Sequence, residues 1–131
     1  MEDLDMISDI DQIFEMLSWD KEEAVQLKGI EEGKKIKHLS VFILPSESKS
    51  VWENCAKVII SKSDIELKPY LINLLEWLKD MNWPGADLVY ERLQKMSKND
   101  IKCAYNICLT MAHETNDRSW QQSLEDFWKS Y

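Results

Sequence analysis

The sequence predicts an all-α protein, and three observations predict it. Apolar residues recur at alternating steps of three and four, the period of an amphipathic helix. Strings of the form Ser/Asp-x-x-Glu stand before such stripes as helix starts. Gly and Pro number three each, too few for the many corners of an all-β fold. The 131 residues make one domain, 1–131, long enough to bury about two thirds of its unfolded surface.

The stripes come in order along the chain. Ile7, Ile10, Phe14 and Leu17 form the first. Leu67, Leu71, Leu74, Leu78 and Met81 form a central one. Ala86, Val89, Leu93 and Met96 follow, then Ile101, Ala104, Cys108 and Met111, and last Trp120, Leu124 and Phe127. Each stripe needs a partner to bury it. Three starts read as capping boxes: Asp20-Lys-Glu-Glu23, Ser50-Val-Trp-Glu53 and Ser63-Asp-Ile-Glu66. A box is worth about 1 kcal/mol, enough to fix a boundary. Pro69 would clash with the carbonyl of Ile65 inside a helix. The expectation is a short turn near 64–67 and a main helix from about Lys68 to Lys79. Val41–Leu44 reads either as a short buried strand or as one helical turn, closed by Pro45.

A diffuse repeat joins these elements. Asp20, Asn82 and Asp117 align as helix starts, with Leu27, Val89 and Leu124 seven residues on. The intervals fit helix pairs of about 33 residues, so about four pairs fill the chain. That is the architecture of a helical-hairpin repeat, or α-solenoid. The alternative is an irregular helical bundle.

The most distinctive string is Leu74-Leu75-Glu76-Trp77-Leu78-Lys79-Asp80-Met81-Asn82-Trp83-Pro84-Gly85-Ala86. It reads as a corner between two helices. Asp80 or Asn82 caps the second helix, Pro84 fixes its first turn, Gly85 and Ala86 allow close approach, and Trp77 and Trp83 clamp the bend. With Trp52-Glu53-Asn54-Cys55-Ala56-Lys57, this string resembles a family of small bacterial proteins, mainly from Firmicutes, known only as a domain of unknown function. That family is similar to HEAT-type helical repeats. The resemblance runs over residues 63–96 and more loosely over 52–57. It implies a HEAT-like fold and carries no activity or catalytic residue. A functional alternative for the corner is an exposed Trp83 serving as a binding anchor, with Asp80 and Asn82 beside it.

Charge narrows the function. Residues 1–23 hold nine acids and one base, so the whole net charge of −8 sits there, while the remaining residues balance. An acidic segment repels phosphate, so neither nucleic acid nor an anionic membrane is an expected partner. No apolar run spans a bilayer and the N-terminus is not a signal peptide. Cys55, Cys103 and Cys108 all stand in apolar contexts and read as reduced, buried thiols of a cytoplasmic protein.

Tests for chemistry come out empty. Asp3, Asp5, Asp9 and Asp11 lack the glycine and the terminal glutamate of a calcium loop. They read as a solvated helix face. His113-Glu114 has no second histidine at the zinc-protease spacing, and Cys108 with His113 shares no helix face. The sequence carries no nucleophile elbow, phosphate loop or dinucleotide fingerprint. No cofactor, metal or catalytic residue is expected. Lys28, Lys34, Lys35 and Lys37 read as an exposed helix paired with Glu31 and Glu32, or as a docking patch for an acidic partner. Trp19, Trp52 and Trp77 read as core. Trp120, Trp128 and Tyr131 read as a cap on the last repeat, or as an aromatic patch.

The expected function is a non-enzymatic protein-interaction module, an adaptor or toxin-immunity type of protein with a basic protein partner. Asp80, Asn82 and Trp83 and the acids Asp3, Asp5, Asp9 and Asp11 are the candidate contacts. The alternatives are a nucleic-acid enzyme of HEAT-like fold and a small-molecule binder with tryptophan-lined space between helices.

Overall fold

The computed structural model describes residues 10–131. Among them all regular structure is helical and no strand forms. Helix α1 covers 10–16. It is followed by α2 (Glu23–Gly33), α3 (Trp52–Ile60), α4 (Asp64–Leu67), α5 (Leu71–Glu76), α6 (Ala86–Gln94), α7 (Lys98–Glu114) and α8 (Arg118–Lys129). Two 3-10 turns, Leu39–Phe42 and Lys49–Val51, lead into α3. Two more, Lys68–Tyr70 and Trp77–Lys79, flank α5.

The periodic stripes become the core. Phe14 and Leu17, the four leucines of the 67–78 stripe, the 86–96 stripe, Ile101, Ala104, Cys108, Trp120, Leu124 and Phe127 are all buried. Ile10 and Met111 are half-buried against them, and Ile7 lies outside the described residues. Met81 leaves its stripe, 38% exposed, because the helix has already ended at Lys79. Three pairs of neighbouring elements pack on each other: α2 with α3, the Trp77–Lys79 turn with α6, and α7 with α8. Across the pairs, α3 lies against α6 and α5 against α7.

The helix starts divide by chemistry. Ser63 forms its box in full: its Oγ accepts from the Glu66 amide at 3.2 Å, and Glu66 Oε1 accepts from the Ser63 amide at 3.1 Å. That backbone donation, with the Ser63 hydroxyl, holds the Glu66 carboxyl below its usual pKa. Asp117 caps α8, accepting from the Trp120 amide at 3.1 Å. The other two boxes do not form. A 3-10 turn intervenes before α3, so Ser48 takes the capping role and accepts from the Ser50 amide at 3.2 Å. Helix α2 starts at Glu23 without a side-chain cap, and Gln26 Nε2 instead donates to the carbonyls of Lys21 and Trp19 at 2.7 and 3.3 Å. Asp20 and Asn82 therefore start no helix. Leu27, aligned to them as apolar, is 56% exposed.

Other expectations are met or corrected locally. Residues 64–67 make the expected short turn of helix, and 68–79 is helical throughout. Pro69 sits in the first turn of a 3-10 segment, where it removes no needed donor. The segment before Pro45 is no strand, and it is a helical turn only as far as Phe42. It is the 3-10 turn Leu39–Phe42, then extended Ile43, then Leu44 at φ 42°. Cys103 is exposed, not buried, because five residues carry it round α7 from the buried Cys108. Trp19 is also no core residue; it is 58% exposed.

Two polar side chains tie the layers. Arg92 of α6 reaches the end of α3. Its Nε donates to the Ile60 carbonyl at 3.3 Å, and its Nη2 donates to the Lys62 carbonyl at 2.8 Å and to Asp64 Oδ1 at 2.7 Å. It satisfies carbonyls that a helix end leaves open. Buried Asn54 of α3 donates through Nδ2 to the Leu17 carbonyl at 2.7 Å and to Gln26 Oε1 at 2.9 Å. Arg92→Ala should lower unfolding stability by about 2 kcal/mol, since it orphans two carbonyls and a carboxylate together. Asp64→Ala should cost about 1 kcal/mol or less, because both carbonyl contacts survive. Urea denaturation of the two variants checks the order.

Candidate functional site

The turn Asp80–Gly85 is where the candidate contacts of the central motif come together. The carbonyl of Asp80 accepts from the Trp83 amide at 3.0 Å, and the carbonyl of Trp83 accepts from the Ala86 amide at 3.1 Å. Asp80 Oδ1 accepts from the Asn82 amide at 2.8 Å. That side chain therefore braces the turn and does not cap α6. Asn82 does not cap it either and stands exposed. The residue before α6 is Gly85, in the left-handed region at φ 85°. Pro84 lies outside the helix, in the turn, and its carbonyl accepts from Trp77 Nε1 at 3.1 Å.

Gly85 has a second reason to be glycine. A Cβ there would lie 2.7 Å from Ala56 Cβ, 3.1 Å from the Trp52 carbonyl oxygen and 3.3 Å from Trp77 Cζ2. The turn is pressed onto α3 with no room for a side chain. Around it stands a group of indoles. Trp77 is fully buried and meets Trp52 edge-on, with centroids 6.0 Å apart. Trp83 meets the other side of Trp52 edge-on at 5.5 Å and is half-buried. Trp52 Nε1 donates to the carbonyls of Pro45 and Glu47 at 3.1 and 3.2 Å. Lys49 holds its ammonium 5.7 Å from the Trp52 ring and 5.9 Å from the Trp83 ring. Such edge contacts each add about 1 kcal/mol beyond burial. Lys49 is a member that sequence reasoning missed, since only the 3-10 turn Lys49–Val51 brings it over the rings.

The remaining candidates lie elsewhere. Asp11 is exposed on α1, and Asp3, Asp5 and Asp9 lie outside the described residues. Lys34 pairs with Glu31 at 3.0 Å and Lys35 with Glu32 at 2.6 Å, as the sequence suggested. The C-terminal aromatics close the molecule. Trp120 is buried and donates to the Leu75 carbonyl at 3.0 Å. Trp128 stacks on Tyr105 at 4.4 Å, and the Tyr131 hydroxyl donates to the Leu93 carbonyl at 3.0 Å.

The two buried thiols offer little nucleophilicity. Burial pushes Cys108 up to about 12 and Cys55 higher still, so both stay protonated at neutral pH. Among the described residues no group of His, Cys, Asp and Glu is placed to hold a metal ion. No described helix is long and apolar enough to cross a membrane. A face that sequence reasoning missed runs along α7. Cys103 and Ile107 are exposed there and Met111 half-buried, one helical turn apart from each other and running beside the buried stripe. The spacing of four was legible, but the stronger buried stripe masked it.

The fold and corner define a small all-helical domain whose most built feature is an aromatic clasp. Residues 50–130, from the turn before α3 to the end of α8, match the family DUF5071, described as a domain of unknown function, and the chain belongs to that family. No curated protein and no solved structure matches it.

The clasp makes a graded prediction. Trp77→Ala should cost about 3–5 kcal/mol, as a buried ring with its N–H paired. Trp83→Ala should cost only about 1–2 kcal/mol, because half the ring is already in water. Thermal unfolding of both variants decides. A Trp83 variant that keeps full stability would remove Trp83 from the clasp and leave it as a contact residue.

Proposed function

We propose that the chain is a non-enzymatic protein-interaction module, of adaptor or toxin-immunity type, built as HEAT-like stacked helix pairs. The repeat arrangement is supported by α2 on α3 and α7 on α8, with α3 laid against α6 and α5 against α7. The observation that carries the function is a groove on the α5–α7 face. Two open depressions, of about 380 and 360 Å³, adjoin at Cys103. Leu71, Ile72 and Ala104 line the first, and Ile107 and Met111 the second. Lys68 and Asp100, 3.5 Å apart, give the first a polar border. Apolar ground with a polar rim is the composition of a protein-binding surface. Openings this shallow suit a partner's side chains better than a small molecule, which needs enclosure.

The partner in this reading is a basic protein in a bacterial cytoplasm. A net charge of −8 concentrated in residues 1–23 steers such a partner and is weakened by salt. The acids Asp3, Asp5, Asp9 and Asp11 supply that steering, and Asp80, Asn82 and half-buried Trp83 offer a second contact.

Cys103 provides the test, because Cys55 and Cys108 are buried. A photo-cross-linker attached to Cys103 should capture a defined protein from an extract of the source organism. Ile107→Lys should abolish that adduct with the melting temperature unchanged. No adduct, or one indifferent to Ile107→Lys, would contradict the reading.

A further inference from the structure

A second surface lies on the N-terminal helices, outside the residues matched to the family. An open depression of about 350 Å³ sits between α1 and α2, lined by Gln12, Glu15, Met16, Lys21 and Val25. Met16 and Val25 give it apolar ground. It exists because α1 and α2 are pressed together below it: a Cβ on Gly29 would come within 2.9 Å of Met16 Cβ.

The connection between α1 and α2, which lends Lys21 to this lining, carries Trp19 two residues earlier. Its backbone is held firmly. The Trp19 amide donates to the Ser50 carbonyl at 3.0 Å, and its carbonyl accepts from Gln26 Nε2 at 3.3 Å. The neighbouring Leu17 carbonyl accepts from buried Asn54 at 2.7 Å, and Ser18 Oγ donates to Ser50 Oγ at 3.1 Å. On this fixed turn Trp19 is 58% exposed. A large apolar ring on a rigid support loses little entropy on binding, which is what an interface anchor requires.

The charge around it selects the occupant. Glu15 lines the depression, and Asp11, Asp20, Glu22 and Glu23, on α1, the connection and the start of α2, are exposed, with Lys21 the one base of residues 11–23. Among the described residues Lys21 approaches Glu15, at 3.9 Å. The rest of the chain, from residue 24 on, is balanced. Residues 1–9 add four more acids to the sequence of this end.

We propose that the α1–α2 depression, with Trp19 as anchor and the acids of residues 11–23 as rim, docks a basic amphipathic segment of a partner protein. This rests on the interaction-module reading and places a second contact of that module. The apolar face of the segment covers Met16, Val25 and Trp19, and its lysines or arginines face the carboxylates. Desolvated apolar contact supplies the affinity, and the rim supplies orientation and rate.

The test uses the full chain and a labelled amphipathic Lys/Leu peptide, read by fluorescence anisotropy at low salt. The peptide should bind, and a Glu/Leu peptide of the same pattern should not. Trp19→Ala should weaken binding by about tenfold or more, and Glu22→Lys with Glu23→Lys should weaken it and flatten its salt dependence. Val25→Asp gives a second apolar variant, and circular dichroism confirms folding of each. Ile107→Lys should leave this binding unchanged. Equal binding of the Glu/Leu peptide, or indifference to both Trp19→Ala and Val25→Asp, would overturn the proposal. So would a dimer in sedimentation that Trp19→Ala dissolves, since the occupant would then be a second copy. If Ile107→Lys abolishes the Cys103 adduct while Trp19→Ala and Val25→Asp both leave peptide binding intact, the module reading stands and this docking site falls.

Discussion

The structure depends on how closely other segments approach α3. Gly33 brings α2 onto it, since a Cβ there would come within 2.9 Å of Val58 Cγ2. Gly85 brings the Asp80–Gly85 turn onto it, with Ala56 as the opposing surface. Two of the chain's three glycines are used where a side chain has no room against this one helix. Once both contacts are made, α3 has α2 on one side and α6 on another, and the remaining helices pack outward from that centre. Close packing leaves little tolerance for added volume at these points.

Polar groups are placed to serve that packing. Trp52, Trp77 and Trp120 each bring a buried indole N–H to a backbone carbonyl. Arg92 and Asn54 reach across layers to carbonyls at helix ends. Among the described residues no buried side-chain polar atom lacks a partner. The buried chemistry is therefore structural, and the free chemistry is at the surface: the α5–α7 groove, and the acid-rimmed depression between α1 and α2. The family match spans α3–α8, so the two surfaces differ in kind. The groove belongs to the family's own helices, whereas the depression belongs to the N-terminal helices that precede them.

What the sequence made legible was whatever depended on local periodicity. The stripes through Leu67, Val89, Cys108 and Leu124 predicted core, and burial follows them except at Met81 and, in part, Met111. Ser63 was legible because its box closes within one turn. Asp20 and Ser50 carried the same pattern and failed, because tertiary contacts took their backbone elsewhere: the Ser50 carbonyl holds Trp19, and Gln26 holds the turn after α1. The corner at Asp80–Ala86 was recognised as a corner, and Gly85 as a point of close approach, though the approach is to α3. The caps were misassigned: Asp80 braces the turn, Asn82 is exposed, and the left-handed Gly85 is the residue before the helix. Trp19 illustrates the general limit. Burial of a tryptophan depends on what packs over it, and nothing in its own neighbourhood of sequence records that.

The most direct test of the central claim is a double-mutant cycle between Gly85 and Ala56, measured by urea unfolding. Gly85→Ala should destabilise by about 2–4 kcal/mol, combining the left-handed backbone with the clash. Ala56→Gly alone should cost about 1 kcal/mol. If the turn is pressed against α3 as described, Ala56→Gly opens space for the new methyl. The double variant should then be more stable than the sum of the two by about 1 kcal/mol or more. Strict additivity, within about 0.3–0.5 kcal/mol, would mean that the contact with α3 does not govern the corner.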